Sequence, residues 1–139
     1  MPDPNAVCDF CSAAHPTWLF PVPNLLAIDE DGVPLLSSAG AWAACDVCVV
    51  NLADGRYSTI YHRLCRNART RSVTIPGARD VMIRLHKQVM AVAGKPALAA
   101  VVEEHCTHPK DAITQRAHGP SGLGRHCVLC GTRLEGDTP

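Results

Sequence analysis

The chain has 139 residues, 13 basic and 13 acidic side chains, eight cysteines, and only two each of Trp, Tyr and Phe. This length accommodates one domain or two very small ones, and no stretch approaches the roughly eighteen apolar residues of a membrane span. A fold with so few large core side chains usually needs disulfides or a bound metal ion for stability.

The usage of cysteine indicates metal rather than disulfides. The first residues, MPDPNAVCDF, have neither a basic start nor an apolar segment, so we expect no secretory signal and a cytoplasmic location. Thiols stay reduced in the cytoplasm, where clustered cysteines bind metal more often than they pair.

The zero formal net charge conceals a segregation of charge along the chain. Residues 1–55 contain seven acids and no Lys or Arg, and residues 56–95 contain nine bases and one acid. Residues 96–139 hold five acids and four bases. The basic middle indicates an anionic partner such as DNA or RNA, a solvated face, or docking onto an acidic N-terminal segment of the same or another copy.

The acidic segment, residues 1–55, is predicted to contain a knuckle, a hairpin and a helix in that order. A Cys-x-x-Cys pair, Cys8 and Cys11, comes first. Two prolines within Trp18–Leu26 predict a broken or edge strand, and Val33–Leu36 is its expected return strand after a DEDG turn. A helix is expected over Ala41–Ala53, ending before a glycine.

A second pair, Cys45 and Cys48, falls in the first turn of that helix, where residues three apart share a face. The helix N-terminus also favours thiolate over thiol. Zinc takes four such ligands in a tetrahedron, so the two pairs predict a treble-clef-like zinc module over residues 1–55. Reduced core cysteines and an iron–sulfur cluster are the alternatives.

The stretches CDFCSAAHPTWLFP and GAWAACDVCVVNL resemble small Cys-rich proteins of actinobacteria and their phages. The resemblance covers roughly residues 7–55. It implies a zinc-finger-like fold in a bacterial or phage cytoplasmic protein, and it implies no activity. The residues themselves suggest that Trp18 and Trp42 cover the metal, or alternatively that they form a platform on which a base stacks.

Residues 56–105 are predicted to be a helical, basic segment. Apolar residues recur at helical spacing over Arg56–Arg69, with Cys65 on the apolar stripe. A second helix is expected from Pro76 to Ala93, and a short one from Pro96 to about His105. The proposed inward stripe of the second helix consists of Ala78, Val81, Met82, Leu85, Val89 and Val92. Two histidines, His62 and His86, are expected to face solvent or to be partly buried with hydrogen-bond partners.

The first of these helices continues into a basic arm that suits nucleic acid. Four arginines in this stretch are the candidate phosphate contacts, because the guanidinium fork binds phosphate oxygens in pairs. They are Arg63, Arg66, Arg69 and Arg71.

Residues 106–135 are predicted to be a C-terminal hairpin with a zinc knuckle at Cys127 and Cys130, where the following glycine allows a tight turn. Cys106 and His108 flank the hairpin and complete the proposed set of four ligands. The fourth place stays open among His105, His108, His118, His126 and Cys65.

The sequence therefore predicts an α+β protein stapled by two structural zinc ions. Closed four-ligand shells leave no position for substrate, and catalytic zinc motifs are absent from the sequence, so we expect no enzyme. Thiol–disulfide exchange by Cys-x-x-Cys is a weaker alternative. The expected function is binding of DNA or RNA, or regulation through it. The alternative is an adaptor that binds a host protein such as transcription or defence machinery.

Overall fold

The computed structural model describes residues 5–28, 31–32, 34–68, 77–117 and 123–134. These residues form a mixed helix-and-sheet fold with four α-helices and two three-stranded sheets. In chain order the elements are β1 (Trp18–Ile28), β2 (Pro34–Ala44), α1 (Asp46–Ala53), α2 (Tyr57–Ala68), α3 (Ala78–Val92), β3 (Ala97–Leu98), α4 (Ala99–His105), a 3-10 turn (Lys110–Ala112), β4 (Ile113–Ala117), β5 (Leu123–Cys127) and β6 (Arg133–Leu134).

The first sheet has the strand order β2-β1-β3 and is antiparallel throughout. The β1–β2 hairpin is regular from Trp18 to Val22, and its register shifts between Val22 and Leu25. Pro23 lies at that shift. Proline has no backbone N–H, so it cannot donate a hydrogen bond to the neighbouring strand, and the regular pairing is interrupted there. The sequence predicts a broken or edge strand for β1. Its first residues instead lie between β2 and β3, because β3 pairs with Trp18 and Leu19.

The predicted start of the first helix at Ala41 is wrong. Residues 41–44 belong to β2, with Trp42 opposite Phe20, and α1 begins only at Asp46. Alanine favours a helix in isolation, but pairing with β1 overrides this weak preference. The shift leaves Cys45 in an extended conformation immediately before the helix.

The two longer helices lie close to their predicted bounds, and α3 packs on β1 while α2 packs on α3. The predicted apolar stripe of α3 is only partly correct: Val89 is buried, but Val81 and Val92 are exposed. His86 takes an interior position instead and is fully buried. None of the described helices is both long and apolar enough to cross a membrane.

Strand β1 contacts both hydrophobic cores. The first core surrounds the fully buried Phe10, with Val22 and Ile60 beside it, and the second lies around Cys127 under the sheet β4-β5-β6. Leu19 in β1 packs on the second core. Backbone hydrogen bonds from Gly94 N to Pro21 O (2.8 Å) and from Ala99 N to Thr17 O (2.9 Å) fasten the segment after α3 to β1.

Candidate metal centres

The N-terminal knuckle is a tight turn fixed by its own backbone. Cys8 N donates to Ala13 O at 2.8 Å, Ser12 N donates to Cys8 O at 2.8 Å, and Ser12 takes a left-handed φ of 63°. Asp9 N donates to Ala43 O, and Ala43 N donates to Asp9 Oδ2 at 2.7 Å. The knuckle is thus held against the end of β2, next to the second cysteine pair.

The first centre consists of Cys8, Cys11, Cys45 and Cys48, whose sulfurs all lie within 4.8 Å of one another. All four residues are buried. The Sγ atoms of Cys11 and Cys45 are 3.6 Å apart. A disulfide requires about 2.05 Å, whereas four sulfurs about 2.3 Å from one zinc ion are separated by roughly 3.8 Å. The donor set and its spacing therefore fit a structural zinc site.

The thiols of this centre perturb one another. Hydrogen bonding from the Cys48 and Cys8 thiols stabilises the Cys11 thiolate and lowers the pKa of Cys11. The same contacts with Cys11 raise the pKa of Cys48 and raise the pKa of Cys8 to about 11. The metal-free cluster thus retains protons, and zinc must displace them when it binds.

Both tryptophans pack on the core around this centre. Trp18 Nε1 donates to Asp46 Oδ1 at 2.7 Å, which ties β1 to the first turn of α1. The Trp42 ring lies 5.4 Å from that of Phe10, which is inside the knuckle and fully buried. These contacts hold the two cysteine pairs in one rigid environment.

The second centre is built on the C-terminal sheet. Cys106 follows α4, and His108 adopts a left-handed φ of 50° two residues later. Cys127 ends β5, and Cys130 lies in the turn that Gly131 closes by donating its backbone N–H to Cys127 O at 2.7 Å. The ligand atoms of Cys106, His108, Cys127 and Cys130 lie within 4.8 Å of one another.

The second centre also fits structural zinc, but it is more exposed than the first. The Sγ atoms of Cys106 and Cys127 are 3.7 Å apart, and Cys130 Sγ is 3.4 Å from His108 Nδ1. Burial alone would raise the pKa of Cys130, but hydrogen bonds with the side chain and backbone of Thr132 and with the Cys106 and Cys127 thiols together outweigh it and lower that pKa to about 7. Burial raises the pKa of Cys106 to about 11.

Three other candidates for the fourth ligand, His105, His126 and Cys65, are described by the structure and are not part of the second group of candidate metal ligands. His105 is exposed at the end of α4, and His126 is buried on β5. Cys65 is half-buried on α2. His118 lies outside the described residues.

The structure describes two of the four predicted phosphate contacts, and these two have different environments. Arg63 is half-buried, and its Nη2 lies 4.0 Å from Cys11 Sγ and 3.9 Å from Cys45 Sγ, so its side chain contacts the first centre. Arg66 is exposed. Arg69 and Arg71 lie outside the described residues.

A second basic surface, which the choice of those four arginines missed, lies between the start of α2 and α3. A cleft of about 540 Å³ opens here, and the cations that line it are Arg79, Arg84 and Lys87. Arg79 Nη2 donates to Ser58 Oγ at 2.6 Å. The occurrence of these three bases within one predicted helix could have indicated this surface from the sequence.

The eight predicted metal ligands thus come together in two groups of four, one made of four cysteines and the other of three cysteines and a histidine. Both groups fit structural zinc ions with closed shells. The chain matches no protein-family model, no curated protein and no solved structure.

Proposed function

We propose that this chain is a zinc-stabilised protein that binds nucleic acid through the basic surface of α2 and α3. Its N-terminal part is a treble-clef-like module, supported by the order of knuckle, β1–β2 hairpin and α1. The two zinc ions hold the scaffold, and the phosphates of DNA or RNA contact the helices.

The cleft between α2 and α3 is the observation that carries this proposal. Three cations line it, and Asp80, which pairs with Arg79 at 3.5 Å, is the one acidic residue in its lining. The first turn of α2 contains no acidic residue. The first backbone N–H groups of a helix have no acceptor within that helix and point outward. Three cations of α3 and the first residues of α2 therefore line one opening.

The groups in this cleft suit a phosphodiester backbone. Arginine offers a bidentate fork to phosphate oxygens, and lysine offers a point charge. Lys87 Nζ lies over the Tyr57 ring, 5.7 Å from its centre, so a cation and an aromatic ring in contact line the cleft together. Arg66, which is exposed on α2, extends the positive charge along this helix. The proposed contact also includes Arg69 and Arg71, which follow it in the sequence.

Salt titration of binding tests the proposal. Labelled double-stranded DNA, single-stranded DNA and single-stranded RNA are titrated with the full chain between about 50 and 200 mM salt, and affinity falls steeply because counterions are released. Replacing Arg79, Arg84 and Lys87 together by Glu weakens binding and lowers the salt slope by about three.

The matched control makes the same charge change outside the cleft. Lys95, Lys110 and Arg133 are exposed, and none of them lines the cleft. Replacing these three by Glu leaves most of the affinity intact. Equal losses in both triple variants, or no binding at low salt, would contradict the proposal.

An apolar cleft supports a second candidate, the protein-interaction adaptor. It measures about 410 Å³, and its lining includes Phe20, Leu52, Met90 and Pro96. Val50, on the same helix as Leu52, is 60 % exposed. An adaptor of this kind gives no salt-dependent nucleic-acid binding in the titrations above, so those experiments separate the two functions.

A further inference from the structure

We infer that Arg63 is the counter-cation of the first metal centre: its guanidinium neutralises part of the thiolate charge and slows the loss of zinc. Arg63 is 52 residues from Cys11 and 18 residues from Cys45 in sequence. Its Nη2 nevertheless lies 4.0 and 3.9 Å from their sulfurs, within the range of an N–H to sulfur contact. The guanidinium thus reaches both halves of the ligand set.

The charge of the centre explains why a cation belongs there. One Zn²⁺ with four thiolates has a net charge of about −2. All four cysteines are buried, so water can solvate little of this charge. A buried charge without a partner is costly, and a nearby cation lowers that cost. Arg63 supplies a permanent positive charge because a guanidinium does not deprotonate in proteins.

No other hydrogen bond or ion pair between described residues explains the position of the Arg63 side chain. Its Nε is buried and has no hydrogen-bond partner among the described residues. Ion pairs between described residues join Arg56 to Asp54 and Arg79 to Asp80, and neither pair includes Arg63. The sulfurs of Cys11 and Cys45 are thus the acceptors that the structure gives to this side chain.

A second residue of α2 also fastens this helix to the N-terminal knuckle. Asn67, one turn after Arg63, donates from Nδ2 to the backbone oxygen of Cys11 at 2.8 Å. Residues four apart lie on the same face of a helix, so both side chains contact the knuckle together. Helix α2 is therefore docked on the metal centre by a charge contact and by a hydrogen bond.

The second centre provides an internal comparison. Three thiolates and a neutral histidine give its zinc complex a net charge of about −1. Three of its four ligand residues are only half-buried, so water can solvate part of this charge. Loss of Arg63 should affect the first centre and spare the second.

The test measures how fast each cysteine becomes reactive when zinc is withdrawn. The full chain with two zinc ions is treated with a chelator and a thiol-alkylating reagent, and mass spectrometry follows each cysteine. With Arg63→Gln, alkylation of Cys11 and Cys45 accelerates about 10-fold to 100-fold. This is the factor by which metal affinity typically falls when a residue that contacts the metal ligands is replaced. Alkylation of Cys127 and Cys130 stays at the wild-type rate.

Two further variants separate charge from packing. Arg63→Lys keeps the positive charge and gives rates between those of wild type and Arg63→Gln. Arg66→Gln removes an exposed arginine of the same helix and leaves all rates unchanged. The inference is overturned if Arg63→Gln leaves Cys11 and Cys45 at the wild-type rate. It is also overturned if the Lys and Gln variants behave alike, including the case in which both fail to retain zinc.

Discussion

At the scale of single residues, His86 is a polar side chain buried in the interior of the described structure. Its ring lies 5.2 Å from the Phe10 ring in an edge-on arrangement, and it is fully buried. Neither ring nitrogen has a hydrogen-bond partner among the described residues. Burial disfavours the imidazolium and lowers the pKa of His86 to about 4.

We expect this histidine to make the fold sensitive to acid. The unfolded pKa is 6.5, so neutral His86 leaves stability intact above that value, and stability is lost as the pH falls from 6.5 towards about 4. The loss approaches about 3 kcal/mol. Urea unfolding of His86→Phe between about pH 7 and pH 4 should show a shallower acid loss than wild type.

The control is His62→Phe, because His62 is exposed on α2. This variant should keep the wild-type slope. Acid release of zinc destabilises all three proteins alike, so only the difference between variants reports on His86. An unchanged slope in His86→Phe would exclude the buried imidazole as the source.

The sequence placed the metal ligands better than it placed His86. Cys-x-x-Cys spacing is a local geometric constraint, and the structure brings all four members of each proposed group together. His86 follows Met82 by four residues and precedes Val89 by three, so helical periodicity alone would have put it inside. Its polar side chain favoured the surface, and only the packing against Phe10 overrides that preference.

At the scale of elements, the junction of β1 with α1 sets the position of the second cysteine pair. Asp46 Oδ1 accepts hydrogen bonds from Trp18 Nε1 at 2.7 Å and from Thr17 Oγ1 at 3.0 Å. Asp46 is also the acidic residue of the first turn of α1, where a negative charge is favourable. One carboxylate therefore fastens a strand to the helix that carries Cys48.

Removing this carboxylate should loosen the junction. Asp46→Ala leaves the two donors without their acceptor and should lower the free energy of unfolding by about 1–2 kcal/mol, as measured by urea titration with tryptophan fluorescence. Asp46→Asn keeps one acceptor oxygen and should lose less. Equal losses in the two variants, or no loss in either, would contradict this role for the acceptor.

The element bounds show where local sequence fails. The predicted bounds of α2 are correct within a residue at either end, because its apolar stripe repeats with helical period. The predicted start of α1 is misplaced because an alanine-rich segment has no pattern that distinguishes a helix from a strand paired with β1. Pairing between Ala41–Ala44 and β1 is a long-range contact that propensity does not encode.

At the scale of the whole molecule, two small cores are each organised around one group of metal ligands. The first core includes Cys8, Cys11, Cys45 and Cys48, and the second contains Cys127, with Cys106 and Cys130 packed against it. The sequence anticipated both centres, because each depends on two local motifs. It did not anticipate β3 on β1 or the contact of Gly94 with Pro21, which join distant segments.

The metal content of the purified native protein tests the central claim, which is that each group of four ligands binds one zinc ion. Native mass spectrometry should find two zinc ions per chain. The double variant Cys45→Ser and Cys48→Ser should retain one, and so should Cys127→Ser and Cys130→Ser. A wild-type chain without zinc, with iron in its place, or with the same zinc content as either double variant would contradict the claim.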